Sequence, residues 1–247
     1  MPIRKGFFCG ARFSGNALGV VARMKVHFNA SFMQDREISQ RMLAQPWLKL
    51  VGSTVAISAF FVAYFHVLHH PVFQVRLVPV LTLDHAIPLV AGSAWIYFSL
   101  WVYICLPTGF MRTRQALGHY LLGAFSLGAV GLGIFFLFPS AVPAWDIDWS
   151  AYPILAFLKE SDAAGNACPS LHVAFAVFSG LWLAAVMRSM QVGPGWHIAN
   201  GIWALAIVIS TLTTKQHVLI DVVCGIALGG LIYWLSRWRS LRRKVLL

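Results

Sequence analysis

Long apolar runs broken by short polar or proline-rich stretches dominate this chain. Six of them, at 47–68, 81–106, 115–138, 172–190, 196–213 and 217–235, approach or exceed the roughly 20 residues that a helix needs to cross a bilayer. The pattern predicts an all-α polytopic membrane protein, a bundle of six transmembrane helices. Residues 1–46 precede the runs as a basic region expected to be partly disordered, 47–235 form the membrane domain, and 236–247 are a basic tail. No continuous apolar stretch in 1–46 suits a cleavable signal, so the first span is expected to act as the targeting signal.

The breaks have their own signatures. Pro71 closes the first run. The third run carries Gly118, Gly123, Gly128, Gly131 and Gly133, which read as a face for close helix packing. Residues 139–171 form the longest connection, expected to lie over the site as a cap or interfacial hairpin.

Composition strengthens the membrane reading. Charged residues make up 11% of the chain and mean hydropathy is +0.72, against about 25% charged residues in soluble domains. A net charge of +11 suggests a nucleic-acid partner at first sight. The basic residues, however, flank the apolar runs instead of forming one surface, which makes them topology signals and membrane lipids the neighbours. Eight Lys or Arg lie through Lys49, two at 112–114, one at Arg188 and five from Arg237 to Lys244, sixteen on one side, against Arg76, Lys159 and Lys215 on the other. The positive-inside rule then puts both termini in the cytoplasm and the starts of the fourth and sixth runs on the opposite face.

Chemistry is concentrated at those two starts. CPSLH spans 168–172 and TKQHVLID spans 214–221. An Asp at the centre of a span costs roughly 2.5 kcal/mol or more, so ionisable groups there sit at the boundary or serve a function. His217 and Asp221, four residues apart, would share one helix face, with the carboxylate fixing the imidazole tautomer. Other polar residues fit plainer roles: His66, His69 and His70 as interfacial histidines, Asp84 as a helix cap in preference to a head-group ligand, and Asp146 and Asp148 as a DxD pattern too weak to imply a metal. Cys9, Cys105, Cys168 and Cys224 have neither zinc nor disulfide spacing.

The two motifs resemble the type 2 phosphatidic acid phosphatase superfamily, whose patterns read PSGH and SRxxxxxHxxxD. Here Pro169-Ser170-Leu171-His172 stands for the first, and Ser210-Thr211, His217 and Asp221 stand for the second. Leu171 in place of glycine, the NACPSLHVA context, and the LTLDHAIP opening at 81–88 are similar to the inositol phosphorylceramide synthase branch. The resemblance implies a metal-independent enzyme without cofactor, acting on a lipid phosphate or phosphodiester and passing the group to water or a lipid alcohol. It makes His217 the nucleophile, Asp221 its orienter and His172 the acid, while Ser170, Thr211 and Lys215 are expected at the phosphate from their positions. The chain departs from the pattern where the motif arginine is Thr211 and where no KxxxxxxRP motif precedes residue 168. Lys215 is the expected substitute for the missing charge. The site would face the periplasm or exterior of a bacterial inner membrane, or the lumen of an organelle. A six-span transporter or channel with intramembrane ionisable groups is the alternative reading.

Overall fold

The structure, a computed structural model, describes residues 36–161 and 165–242. The basic region before residue 36, including Cys9, and the end of the tail after 242 lie outside the described residues.

Six helices are long and apolar enough to span a membrane: α1 (Pro46–His69), α3 (Ala91–Phe110), α4 (Arg114–Leu137), α6 (Leu171–Ser189), α7 (Pro194–Thr213) and α8 (Leu219–Arg242). Between them lie β1 (Arg76–Leu77), α2 (Thr82–Ala86), β2 (Ser140–Ala141) and α5 (Pro153–Ser161). The second span differs from the expected one. Ile87, which precedes Pro88, is extended with ψ 119°, the conformation proline imposes on its predecessor. Thr82–Ala86 is therefore a separate turn of helix, and the span begins at Ala91 and runs to Phe110 through breaks near Ser99 and Cys105. At the other end of the chain, α8 continues seven residues past Leu235, to Arg242.

Helix α6 is the axis of the bundle. In its most apolar stretch 72% of residues are buried, against 33% or fewer in the other five. Phe178 and Trp182 fill the core with Tyr120 and Leu127 of α4. Polar side chains inside the bundle find partners on neighbouring helices. The Tyr103 hydroxyl donates to Asn200 Oδ1 at 2.6 Å, Tyr120 meets Ser179 Oγ at 3.0 Å, and Trp182 Nε1 donates to Ser236 Oγ at 3.3 Å. Such bonds matter where no water competes.

Small residues pack, but not as expected for the whole of α4. Gly123, Gly128 and Gly131 face Phe178, Phe60 and Leu171, whereas Gly118 and Gly133 face open space. Helices α6 and α8 approach backbone to backbone, where a Cβ at Gly225 would stand 2.5 Å from the Ser170 carbonyl oxygen and one at Gly229 2.4 Å from that of Ala174.

The long connection is ordered against its neighbours. Strand β2 pairs in parallel with β1, and Ser140 bridges to Asn166. Leu155 and Leu158 of α5 are buried against Ala94, Tyr97 and Phe98 at the start of α3. These contacts hold the connection over the ends of α6 and α8 that carry the two motifs.

Candidate active site

Helix α6 begins where its sequence requires. Ser170 is the N-cap, extended in conformation, and its hydroxyl accepts the Val173 amide at 3.3 Å. His172 is thus in the first turn. Its Nε2 bonds the Tyr97 carbonyl oxygen at 2.8 Å, and its ring stacks on the Tyr97 ring with centroids 3.7 Å apart and planes 11° from parallel. A carbonyl only accepts, so this bond assigns the hydrogen to Nε2 and leaves Nδ1 as the nitrogen that can gain or give a proton.

The second motif is built by the end of α7 and the start of α8. Thr211 is fully buried; its hydroxyl bonds Val208 O, while its carbonyl accepts the Gln216 and His217 amides, each at 3.1 Å. Lys215 turns the chain with φ 58°. His217 consequently lies before the helix instead of on it, a correction to the expected shared helix face. The contact with Asp221 forms nevertheless. Asp221 Oδ2 folds back over the helix start, accepting the Val218 amide at 3.1 Å and standing 3.4 Å from His217 Nδ1. That capping turn is the reason the helix starts at Leu219. Asp221 is fully buried, and its carbonyl oxygen accepts the Ser170 amide at 3.0 Å. One backbone bond thereby ties the two motifs together.

His172 and His217 line a common cavity of about 420 Å³ whose walls are largely aromatic, with Phe60, Phe61 and Tyr64 of α1, Tyr97 and Trp101 of α3, and Phe175 of α6. Gln216 and Asn166 are its other polar lining residues near the histidines. Nδ1 of His217 is turned toward the Asp221 carboxylate, an arrangement that can make Nε2 a nucleophile, and His172 places a second imidazole at the same cavity.

The remaining sequence candidates have other engagements. Lys215 Nζ donates to the Asp84 and Ile87 carbonyls at 3.0 and 2.7 Å and lies 4.2 Å from the Trp145 ring centroid, outside the cavity lining. Burial pulls its ammonium below the ordinary lysine range, and the Asp84 charge partly offsets this. The Ser170 hydroxyl and amide are both used in capping and motif docking. Asp84 is a cap, as its position suggests, but in two directions: Oδ2 accepts Leu81 N and Oδ1 accepts Leu219 N, both at 2.8 Å. Asp148 caps the turn at Trp149–Ala151 by accepting from Ser150, which holds its carboxyl below the usual range. His69 and His70 bond carbonyls of their own helix and are exposed.

Sequence reasoning missed Tyr97, Asn166 and Gln216. Asn166 and Gln216 were within reach as neighbours of the two motifs, whereas nothing in the sequence singles out Tyr97. Cys168 is set beside Asp221 and Cys224, and its thiol is pushed up to about 12, first by burial and then by those neighbours.

A fold of six bilayer-length helices with paired histidine motifs at one end of the bundle fits an integral membrane protein. Residues 134–244 match the family model described as PAP2 superfamily, a match that takes in both motifs and under half of the chain. Members of that superfamily are phosphatases or phosphotransferases. No curated protein and no solved structure matches the chain.

Proposed function

We propose that this protein is a membrane lipid phosphatase or phosphotransferase that works through a phosphohistidine on His217. The observation carrying this reading is the pairing of His217 with Asp221 at a cavity that His172 also lines. Attack by Nε2 of His217 on phosphorus expels the lipid alkoxide, which takes a proton from His172. Water or a lipid alcohol, deprotonated by the same His172, then attacks phosphorus and releases His217. The buried Asp221 carboxylate stabilises the charge that His217 acquires. Gln216, which lines the cavity beside His217, offers a donor for the developing phosphoryl charge. Lys215, Thr211 and Ser170 shape the site through the bonds they already make.

An aromatic cavity of this kind suits a lipid partner, with the tail against the phenylalanines and the phosphate at the histidines. The PSLH motif supports the inositol phosphorylceramide synthase-like branch, and with it transfer to a lipid alcohol. The Lys and Arg distribution supports cytoplasmic termini and a site on the opposite face of a bacterial inner membrane or an organelle membrane.

Phosphoenzyme trapping tests the reading. Detergent-purified protein given a labelled lipid phosphate should form an acid-labile, base-stable phosphoenzyme, absent in His217→Ala. Asp221→Asn should lose about 10³ to 10⁴ in turnover, by analogy with the aspartate of a catalytic triad. Label persisting in His217→Ala would remove the assignment.

A further inference from the structure

We infer that Tyr97 is the positioning residue that lets His172 carry positive charge inside the bundle, through a cation–π contact between its ring and the imidazolium. What that charge is for rests on the lipid-phosphate reading above. The inference gives α3 a part in the chemistry, although Tyr97 lies outside the stretch 134–244 that matches the superfamily.

An acid at this position needs a hydrogen on each ring nitrogen. The Tyr97 carbonyl holds one at Nε2, 2.8 Å away. The proton handed to a leaving alkoxide must therefore be a second one, at Nδ1, and the ring that holds both is a cation. His172 is 8% exposed, and the cavity wall around it is largely aromatic. A charge is costly to carry there unless its surroundings answer it.

Tyr97 answers it twice. Its carbonyl bond becomes charge-assisted when the imidazole is protonated, and such bonds are roughly twice as strong as neutral ones. Its ring lies flat against the imidazole, with centroids 3.7 Å apart and planes 11° from parallel. That is well inside the distance of about 6 Å at which the negative face of an aromatic ring attracts a cation. A neutral imidazole gains less from that face, so the contact supports the charged acid in particular.

The ring is held in place from other elements. Tyr97 packs on the buried cluster that Ala94 forms with Leu155 and Leu158 of α5. Trp101, four residues further along α3, stands at 87° to His172 with centroids 6.1 Å apart, and itself meets Phe61 of α1 at 4.7 Å.

The test weakens the aromatic face while nearly keeping its shape. Fluorine atoms draw electron density from a phenyl ring, so Tyr97→Phe, Tyr97→difluorophenylalanine and Tyr97→trifluorophenylalanine form a graded series, and Tyr97→Leu has no face at all. In the full-length protein in detergent, turnover of phosphatidic acid should fall stepwise along the series, by about five- to thirtyfold from Tyr97→Phe to Tyr97→Leu. The first-turnover burst of nitrophenol from a nitrophenyl phosphate, which needs no acid, should show no such gradient. Nitrogen NMR spectra of isotope-labelled histidine at the assay pH, with the His172 signals assigned by their loss in His172→Gln, should show its imidazolium fraction falling in the same order. Flat spectra along the fluorinated series would overturn the inference, as would a turnover gradient that both substrates share. The spectral order with no turnover in any of the proteins would sink the enzymatic reading and leave the inference standing; turnover with flat spectra would do the reverse.

Discussion

The carboxylate of Asp84 accepts the backbone amide of Leu219 at 2.8 Å across 135 positions of sequence. The helix that carries Asp221 is thus capped by a residue that lies outside the stretch 134–244 similar to the PAP2 superfamily. The other Asp84 oxygen holds Leu81 N, and the side chain is 2% exposed.

Asp84→Ala should therefore affect stability and catalysis together. Hydrogen bonds to a charged group contribute about 1.5 to 3 kcal/mol each, and removing the acceptor leaves two amides without it. The expected result is a clear drop in thermal midpoint and at least a tenfold fall in kcat, because the start of α8 sets the distance between His217 and Asp221. Asp84→Asn, which keeps acceptor capacity but loses the charge, should lie between. Scanning fluorimetry and lipid turnover check both; a wild-type midpoint with wild-type kcat in Asp84→Ala would refute the argument.

Asp84 also marks where reading the sequence stops. The spans were legible because a bilayer demands about 20 apolar residues, and all six appear, with the start of the second displaced by the break before Pro88 and the sixth shifted to Leu219–Arg242. The PSLH and HxxxD motifs were legible as ionisable residues at an expensive depth. Lys215 illustrates what is not legible. Its charge and position suggest a phosphate ligand, whereas its ammonium donates to the carbonyls of Asp84 and Ile87, on other parts of the chain. Likewise, spacing identifies glycine-rich helices without showing which glycine meets a neighbour: Gly118 and Gly133 meet nothing, and Gly225 and Gly229 touch backbone.

That contrast predicts opposite outcomes for the same substitution. Gly225→Ala and Gly229→Ala force a methyl group against carbonyl oxygens of α6, and overpacking of this kind costs about 1 to 3 kcal/mol. Since Gly225 abuts Ser170, the cap of the His172 helix, turnover should fall as well. Gly118→Ala and Gly133→Ala enter open space and should leave both midpoint and turnover near wild type. Equal effects across the four variants would contradict the packing.

Cys168 gives a pH dependence with a defined sign. Its thiol is pushed up to about 12 from an ordinary value near 9, chiefly by burial. At pH 9 the thiolate is then only about 0.1% populated, where an ordinary thiol would be about half ionised. Iodoacetamide should modify Cys168 slowly at pH 9, the rate climbing about tenfold per pH unit toward 12, as followed by peptide mass spectrometry. In the unfolded chain the same thiol ionises near 9, so stability is lost as pH rises from about 9 to 12. A labelling rate that levels off near pH 9 would show an ordinary thiol.

His172 is committed at one nitrogen and available at the other. Its Nε2–H is held by the Tyr97 carbonyl, so the proton passed to a leaving lipid alkoxide must come from Nδ1. Glutamine places its amide near Nε2 and asparagine near Nδ1, which separates holding from proton transfer. His172→Gln can keep the Tyr97 bond and a near-wild-type midpoint, yet it has no acid at the Nδ1 position. His172→Asn gives up the Tyr97 bond and should melt earlier. Both should lose about 10² to 10⁴ in turnover of lipid phosphates, the range for a general acid. With a nitrophenyl phosphate, whose leaving group needs no proton, the first-turnover burst of nitrophenol should slow by less than about tenfold in either variant, because His172 enters that reaction only at the later attack of water. Equal losses on the two substrates would mean that His172 does not protonate the leaving group, and a His172→Gln midpoint as low as that of His172→Asn would mean that the Tyr97 bond does not hold the ring.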